Sequence, residues 1–416
     1  MRPRETSCAV ILLAAVFAPA ALATGGSWVP PVGRTEPIRS LLVVSPGAPV
    51  RLSPHGASPR RGALARGERV PYMGEATGPG CASAWYRIDA EGYVCGALVE
   101  PSSEAPRSGP HPSLPAAGEV LPFGYGYAGM DGARIYRRAE DVEADLWESE
   151  LDTGFGVAVR RLVHLHGSRF WETLSGRLIP ARELRLARPS TFAGAQLESP
   201  GDIERAGWVI EREARSLGAE GRAETRTLHV RHDRVEIFET ARRGGRSLLR
   251  VAHDGWLDAR VVRRPRLATR PESVGAAERW IDVDLERQIV TAYEGDRPVY
   301  VTLASTGRAG TPTPTGIFRV WVKLATSTMD NFEEEEADRF YSLDDVPWVL
   351  YFDRGVALHA AFWHDRYGER RSHGCVNLSP IDARFFYEFA SPVMPSGWTA
   401  SFPTDRSPGT VVRVRR

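Results

Sequence analysis

Short runs in which apolar residues fall at every second position recur from one end of this 416-residue chain to the other. Such alternation sends successive side chains to opposite faces of a strand, so it predicts half-buried β-strands and a mainly β chain. Three of the runs turn around a glycine and read as hairpins: Trp85 to Val94, Phe170 to Ile179 and Leu249 to Leu257. Helical spacing shows in two places. Ile203 to Leu217 reads as a helix between β modules. Ser379-Pro380-Ile381-Asp382 supplies an N-cap, a proline at the first helical position and an acid at the capping-box position. That second helix should run from Pro380 through Ile381, Phe385 and Phe389 at core spacing and stop before Pro392.

In the run Gly355 to Trp363, alternation puts Val356, Leu358, Ala360 and Phe362 on one face and Ala357, His359 and Ala361 on the other. A packed core face would carry larger groups than two alanines, so room is left above His359 for a substrate. A lone strand histidine is ordinarily a hydrogen-bonded, half-buried imidazole, and a lone cysteine a small buried hydrophobe. The stretch Ser372-His373-Gly374-Cys375-Val376-Asn377 changes both readings. Gly374 can take positive φ or pass close to a ligand, letting the amides around Gly374 and Cys375 converge on a developing oxyanion. A thiol there, with an imidazole on a nearby strand, is the equipment of nucleophilic acyl transfer. His359 is expected to lower the thiol pKa more than the dipole of the following helix does.

A histidine, a short segment, then S-H-G-C-[hydrophobic]-N resembles the signature of the L,D-transpeptidase, or YkuD, catalytic domain. The likeness extends over Trp280 to Leu285, Gln288 to Tyr293, Ser305-Thr306-Gly307, Thr313-Pro314-Thr315-Gly316, Val346-Pro347-Trp348 and Trp363-His364-Asp365, within residues 276–416. The resemblance implies a YkuD-type β-sandwich in which Cys375 is the nucleophile, His359 the general base, and the carbonyl of Ala360 the group that orients the imidazole. It implies a thioester formed with a peptidoglycan tetrapeptide stem at the L-centre of diaminopimelate, with loss of the terminal D-alanine. A second stem, a protein lysine or water then resolves that thioester. His373 and Gly374 are implied for the oxyanion hole, Ser372 and Asn377 for the loop and stem peptide, Trp363 for a pocket wall, and Tyr341 or Tyr351 for a lid. The chain departs from the family pattern in a short gap between His359 and Ser372 and in alanine at Ala360, which bears on lid shape. The alternative is a wall-binding protein whose catalytic domain is inactive or only trims stems as an L,D-carboxypeptidase.

Compartment fits this chemistry. Arg2 and Arg4 precede an apolar run from Ala9 to Ala18, and Ala21-Leu22-Ala23 offers a small-x-small cleavage site, so 1–23 reads as a secretory signal for the periplasm or cell wall. Cys8 lies inside it without a lipobox, and no later run is long enough to span a bilayer, so no anchor is expected after cleavage. Three cysteines then remain, an odd number that points to one pair plus one further thiol. Cys81 and Cys95 flank the first hairpin and suit a disulfide, with two unpaired structural cysteines as the other reading.

The 53 basic and 52 acidic side chains nearly cancel, without the basic excess of a nucleic-acid binder. Nucleic acid is therefore not expected as a partner; the partners the resemblance implies are stem peptides, with an acceptor wall protein as one of the open acceptors. His359, His364, His373 and Cys375 match no closed-finger zinc spacing, and no metal or cofactor is expected. His164-Leu165-His166 reads as an exposed strand, and Gly124-Tyr125-Gly126-Tyr127-Ala128-Gly129 as a loop or hairpin lacking a nucleotide fingerprint. The acidic run Glu333 to Glu336 reads first as a solvated loop, with a mobile lid over the site as its other reading.

The chain before the catalytic domain divides into a module at 37–103 that resembles a bacterial SH3-like barrel, a Pro/Ser/Gly linker at 104–118, and β modules at 119–190 and 203–266. Wall binding and simple spacing are both open roles for them.

Overall fold

The computed structural model describes residues 37–106, 114–218, 227–253, 255–332 and 340–416. The leader 1–23, the middle of the linker and the acidic run Glu333 to Glu336 lie outside these residues. Strands dominate, 34 of them against three α-helices among the described residues, so the chain is mainly β as its alternation predicts. No described helix is long and apolar enough to cross a membrane.

Two compact units are present, the first built on the described residues up to 106 together with Pro395–Ala400, the second on 114–394 and 401–416. In the first unit, Arg69–Pro71, Ser40–Val43 and Val99–Ser102 form one antiparallel sheet. Arg60–Leu64, Ala48–Arg51, Gly92–Cys95, Trp85–Asp89 and Glu75–Ala76 follow one another in another. The strands do not close into the single barrel expected of the SH3-like module. Pro71 and Pro101 lie on the two outer strands of the three-stranded sheet, where each lacks an N–H and so limits the ladder. The predicted first hairpin is present, with Trp85 opposite Cys95, and Cys95 is joined by a disulfide to Cys81. Leu41, Val50, Leu64 and Val94 make the fully buried centre of this unit.

The second unit corrects two expectations. Of the loop and hairpin readings of Gly124 to Gly129, the loop is corrected: Gly124–Ala128 is a strand, paired on one side with Gly156–Leu165 and on the other with Leu184–Leu186. Its glycines permit the close packing: a Cβ on Gly126 would meet Leu184 at 3.0 Å. Its tyrosines face the catalytic residues' neighbourhood, Tyr125 stacking on Phe362 at 3.9 Å. The predicted helix from Ile203 to Leu217 is only the turn Asp202–Arg205, after which Ala206–Val209 is a strand. Gly207 and the β-branched Val209 and Ile210 are poor helix formers, and burial of Trp208 between neighbouring strands decides the outcome. The other hairpins are found, Phe170 opposite Pro180 and Leu249 opposite Leu257. His166 falls in the turn after its strand, at φ +48, so it does not share a strand face with His164.

Two sheets make up the core of this unit's C-terminal part. One is ordered Ala195–Gln196, Arg297–Leu303, Ile289–Glu294, Arg279–Asp284, Val411–Arg415 and Gly316–Arg319. The other carries Val322–Asp330, Ser342–Asp353, Val356–Ala360 and Val376–Leu378 side by side. Ile281, Val283 and Val290 from the first sheet join Leu350, Leu358, Val376 and Leu378 from the second in one buried cluster.

The helix Pro380–Phe389 forms where its cap predicts, with Ser379 Oγ accepting from the Asp382 N–H at 3.1 Å. Its buried face is shifted by one residue, to Asp382, Ala383, Phe386, Tyr387 and Phe389, leaving Ile381 and Phe385 half-buried. Asp382 accounts for the shift. Its carboxylate accepts from Tyr300 and Thr302 hydroxyls, both at 2.6 Å, from Ser379 at 2.8 Å and from the Gly194 N–H at 2.8 Å. Burial pushes the Asp382 carboxyl upward, and these bonds hold it back. At the other end Lys323 donates to the carbonyls of Tyr387 and Ala390, satisfying acceptors the helix leaves open.

Candidate active site

Val356–Ala360 and Val376–Leu378 run parallel, with Leu358 opposite Val376 and His359 opposite Asn377. Leu358 and Val376 point into the core, so His359 and Asn377 share the opposite face. Cys375 stands in the bend one residue before its strand and two before Asn377. The thiol donates to the carbonyl of Gly355 at 3.7 Å, at the start of the histidine strand.

His359 is buried, and its Nδ1 lies 3.0 Å from the carbonyl of Ala360. A carbonyl can only accept, so the proton sits on Nδ1 and Nε2 carries the lone pair. Burial pushes the imidazole down to about 4, against the opposing pull of the Ala360 bond. This changes the expected electrostatics: desolvation disfavours the imidazolium that would hold a thiolate at rest, so His359 is set up as a neutral base. The half-buried Trp363 stacks on its ring at 5.7 Å and 28°.

The cysteine loop is braced from two sides. Gly374 sits at φ +128, a region that favours glycine. Ser372 Oγ donates to the Cys375 carbonyl at 2.5 Å and accepts from the Gly374 N–H at 3.2 Å. The Gly374 amide therefore braces the loop here, rather than pointing at an acyl oxygen. Thr313 Oγ1 donates to the Gly374 carbonyl at 2.7 Å and accepts from the Gly307 N–H at 2.9 Å, while Thr311 Oγ1 donates to the Ser372 carbonyl at 3.2 Å. Gly307 is required for this approach, since a Cβ there would lie 2.2 Å from the Thr311 carbonyl.

His373 lies on the exposed rim. The Arg308 guanidinium donates to its Nε2, and the Tyr341 ring stacks on it at 5.2 Å. Tyr351 shares the face of His359 through its pairing with Ala357, with its hydroxyl 3.1 Å from Ser327 Oγ. The two candidate lid tyrosines thus occupy different stations. Arg308 was not anticipated; its position directly after Ser305-Thr306-Gly307 was the available signal.

Sequence offers His364 as a candidate metal ligand and as part of the Trp363-His364-Asp365 likeness, and the structure gives it a further contact. Its Nδ1 accepts from the Arg366 N–H at 3.3 Å, and its Nε2 lies 3.2 Å from the side-chain amide of Asn377. Burial first, then Arg371 and His359, push this imidazole down to about 4, so it is neutral. With Nδ1 accepting, Nε2 carries the proton and needs an acceptor, which assigns Asn377 Oδ1 to it and turns the Asn377 NH2 away. Asn377, opposite His359 across the two parallel strands, is thereby held by His364. Among the described residues, no group of three or more His, Cys, Asp or Glu side chains is arranged to hold a metal ion.

Residues 278–414 match the family described as the L,D-transpeptidase catalytic domain, YkuD. This region is similar to a YkuD-type catalytic domain. Solved structures with which the chain aligns include an Enterococcus faecium L,D-transpeptidase mutant at 26% identity, covering 33% of this chain and 50% of that one, with a TM-score of 0.26. The catalytic domain of an E. faecium L,D-transpeptidase aligns at 27% identity over 33% of this chain and 98% of that one, TM-score 0.26. L,D-transpeptidase 3 from Mycobacterium tuberculosis aligns at 17% identity over 56% and 91% of the two chains, TM-score 0.28. The chain spans about half the length of the first of these. No curated protein matches the chain.

Proposed function

We propose that this protein is an exported L,D-transpeptidase that acts on peptidoglycan tetrapeptide stems through a thioester on Cys375. The observation that supports the reading is the parallel register that sets the strand following Cys375 beside the strand of His359, with the His359 Nδ1 proton held by Ala360. His359 Nε2 takes the thiol proton as sulfur attacks the carbonyl of the L-centre of diaminopimelate. The tetrahedral intermediate collapses, the bond to D-alanine breaks, and its amine leaves with the proton from His359. An acceptor amine then gives a proton to His359 and attacks the thioester, returning the thiol and forming one new amide. Water in place of the amine gives a trimmed tripeptide.

The test is product analysis. Purified protein beginning at Thr24, incubated with disaccharide tetrapeptide, should release D-alanine and give a dimer or a tripeptide, and Cys375→Ala should abolish both. Undiminished D-alanine release from the variant would remove the proposed nucleophile.

A further inference from the structure

Within residues 134–182 the chain lines a half-open polar cavity of about 450 Å³ that shares no lining residue with the site described above. Tyr136 and Phe170, edge to face at 6.1 Å, form its apolar floor. Arg134, His166, Arg169 and Arg182 line its walls. The lone carboxylate in the lining, Asp145, accepts from the Tyr136 hydroxyl at 2.7 Å and from Arg134 at 3.3 Å. Arg134 is in turn held by Glu183 through Nη2 at 2.7 Å.

The other two guanidiniums are not neutralised in this way. Arg182 reaches Glu183 only at 3.8 Å, at the same carboxylate oxygen that Arg134 already occupies. Arg169 is exposed on its strand opposite His164, and no ion pair joins it to a carboxylate among the described residues. Two forked donors beside an apolar floor fit carboxylates, which a guanidinium binds through two parallel bonds. Trp147 adds an exposed apolar rim beside this lining, with the Arg134 guanidinium 5.9 Å from its ring. A bare anion has no use for that rim; a peptide bearing carboxylates and a small apolar side chain has.

We propose that this cavity is a binding site for a short acidic peptide, with carboxylates on Arg169 and Arg182 and an apolar side chain against Trp147. The choice of a stem peptide as probe rests on the function proposed above. Such a site would hold wall material near the catalyst and raise its local concentration.

The experiment uses the full mature chain carrying Cys375→Ala, which removes turnover, titrated calorimetrically with L-alanyl-γ-D-glutamyl-diaminopimelyl-D-alanine. The same titration is run with Arg169→Ala and Arg182→Ala added, and with the peptide's carboxylates amidated. Loss of two charge-assisted contacts should weaken binding at least about tenfold, as should amidation, and raised salt should weaken the parent complex. Both arginines are exposed, so the melting temperature should stay put. Equal affinity in the arginine variant, equal affinity for the amidated peptide, or displacement by inorganic phosphate at matching concentration would each overturn the proposal. D-alanine release by the Cys375-intact protein is scored separately, so failure of turnover with binding preserved counts against the catalytic reading alone.

Discussion

Acidification interrogates the burial of His359. A general base works only when neutral, and burial puts this imidazole near 4 instead of the ordinary 6.5. At pH 5.5 a group titrating at 4 is about 97% neutral, whereas one at 6.5 is about 9% neutral, a difference of roughly tenfold in active base. The assay is kcat/KM for D-alanine release between pH 4.5 and 8, with folding monitored in parallel. The parent protein should keep nearly all of its plateau value at pH 5.5. Trp363→Ala removes the ring stacked on His359 at 5.7 Å and admits water over the imidazole. Because desolvation is the larger cause of the depression, the acid limb of that variant should move up toward 6.5, leaving about a tenth of its own plateau at pH 5.5. A parent protein already at a tenth there, or a variant with an unmoved limb, would refute the reasoning.

Three further outcomes are expected. His364→Ala frees the Asn377 amide and should lower kcat/KM about tenfold, while His364→Gln, which can still donate, should recover part of the loss; equal loss in both would assign His364 to packing alone. Asp382→Ala leaves the Tyr300 and Thr302 hydroxyls and the Gly194 N–H without their acceptor and should destabilise the fold by about 3–5 kcal/mol in denaturant titration, with Asp382→Asn less damaging. Replacing Cys81 and Cys95 by alanine opens a loop with a sequence separation of 14 and should cost about 3 kcal/mol, while a thiol titration of the denatured mature protein still finds Cys375.

The local features were legible because they rest on short-range rules. Alternation around His359, the hairpins at Trp85, Phe170 and Leu249, and the Ser379 cap each need only a handful of neighbouring residues. What escaped depends on contacts far along the chain. Gly124–Ala128 has a loop-like composition and becomes a strand because Val159 and Leu184 fill the space its glycines leave. Asp382 looks like a capping acid and is also the buried acceptor of groups more than 80 residues or nearly 190 residues away, which turns the helix face by one position. At the site, the motif exposes the sulfur and the imidazole, but the Arg308 contact with His373 and the His364 hold on Asn377 need the fold to bring distant loops together.

The central claim is that the sulfur of Cys375 becomes an acyl carrier. Intact mass spectrometry of the mature protein after incubation with a carbapenem, whose strained carbonyl a thiolate opens to a thioester, reads this in one step. The account predicts a single added carbapenem mass mapped by peptide analysis to Cys375 and absent from Cys375→Ala. An unmodified protein that still turns over stem peptide, or an adduct that persists in the variant, would contradict it.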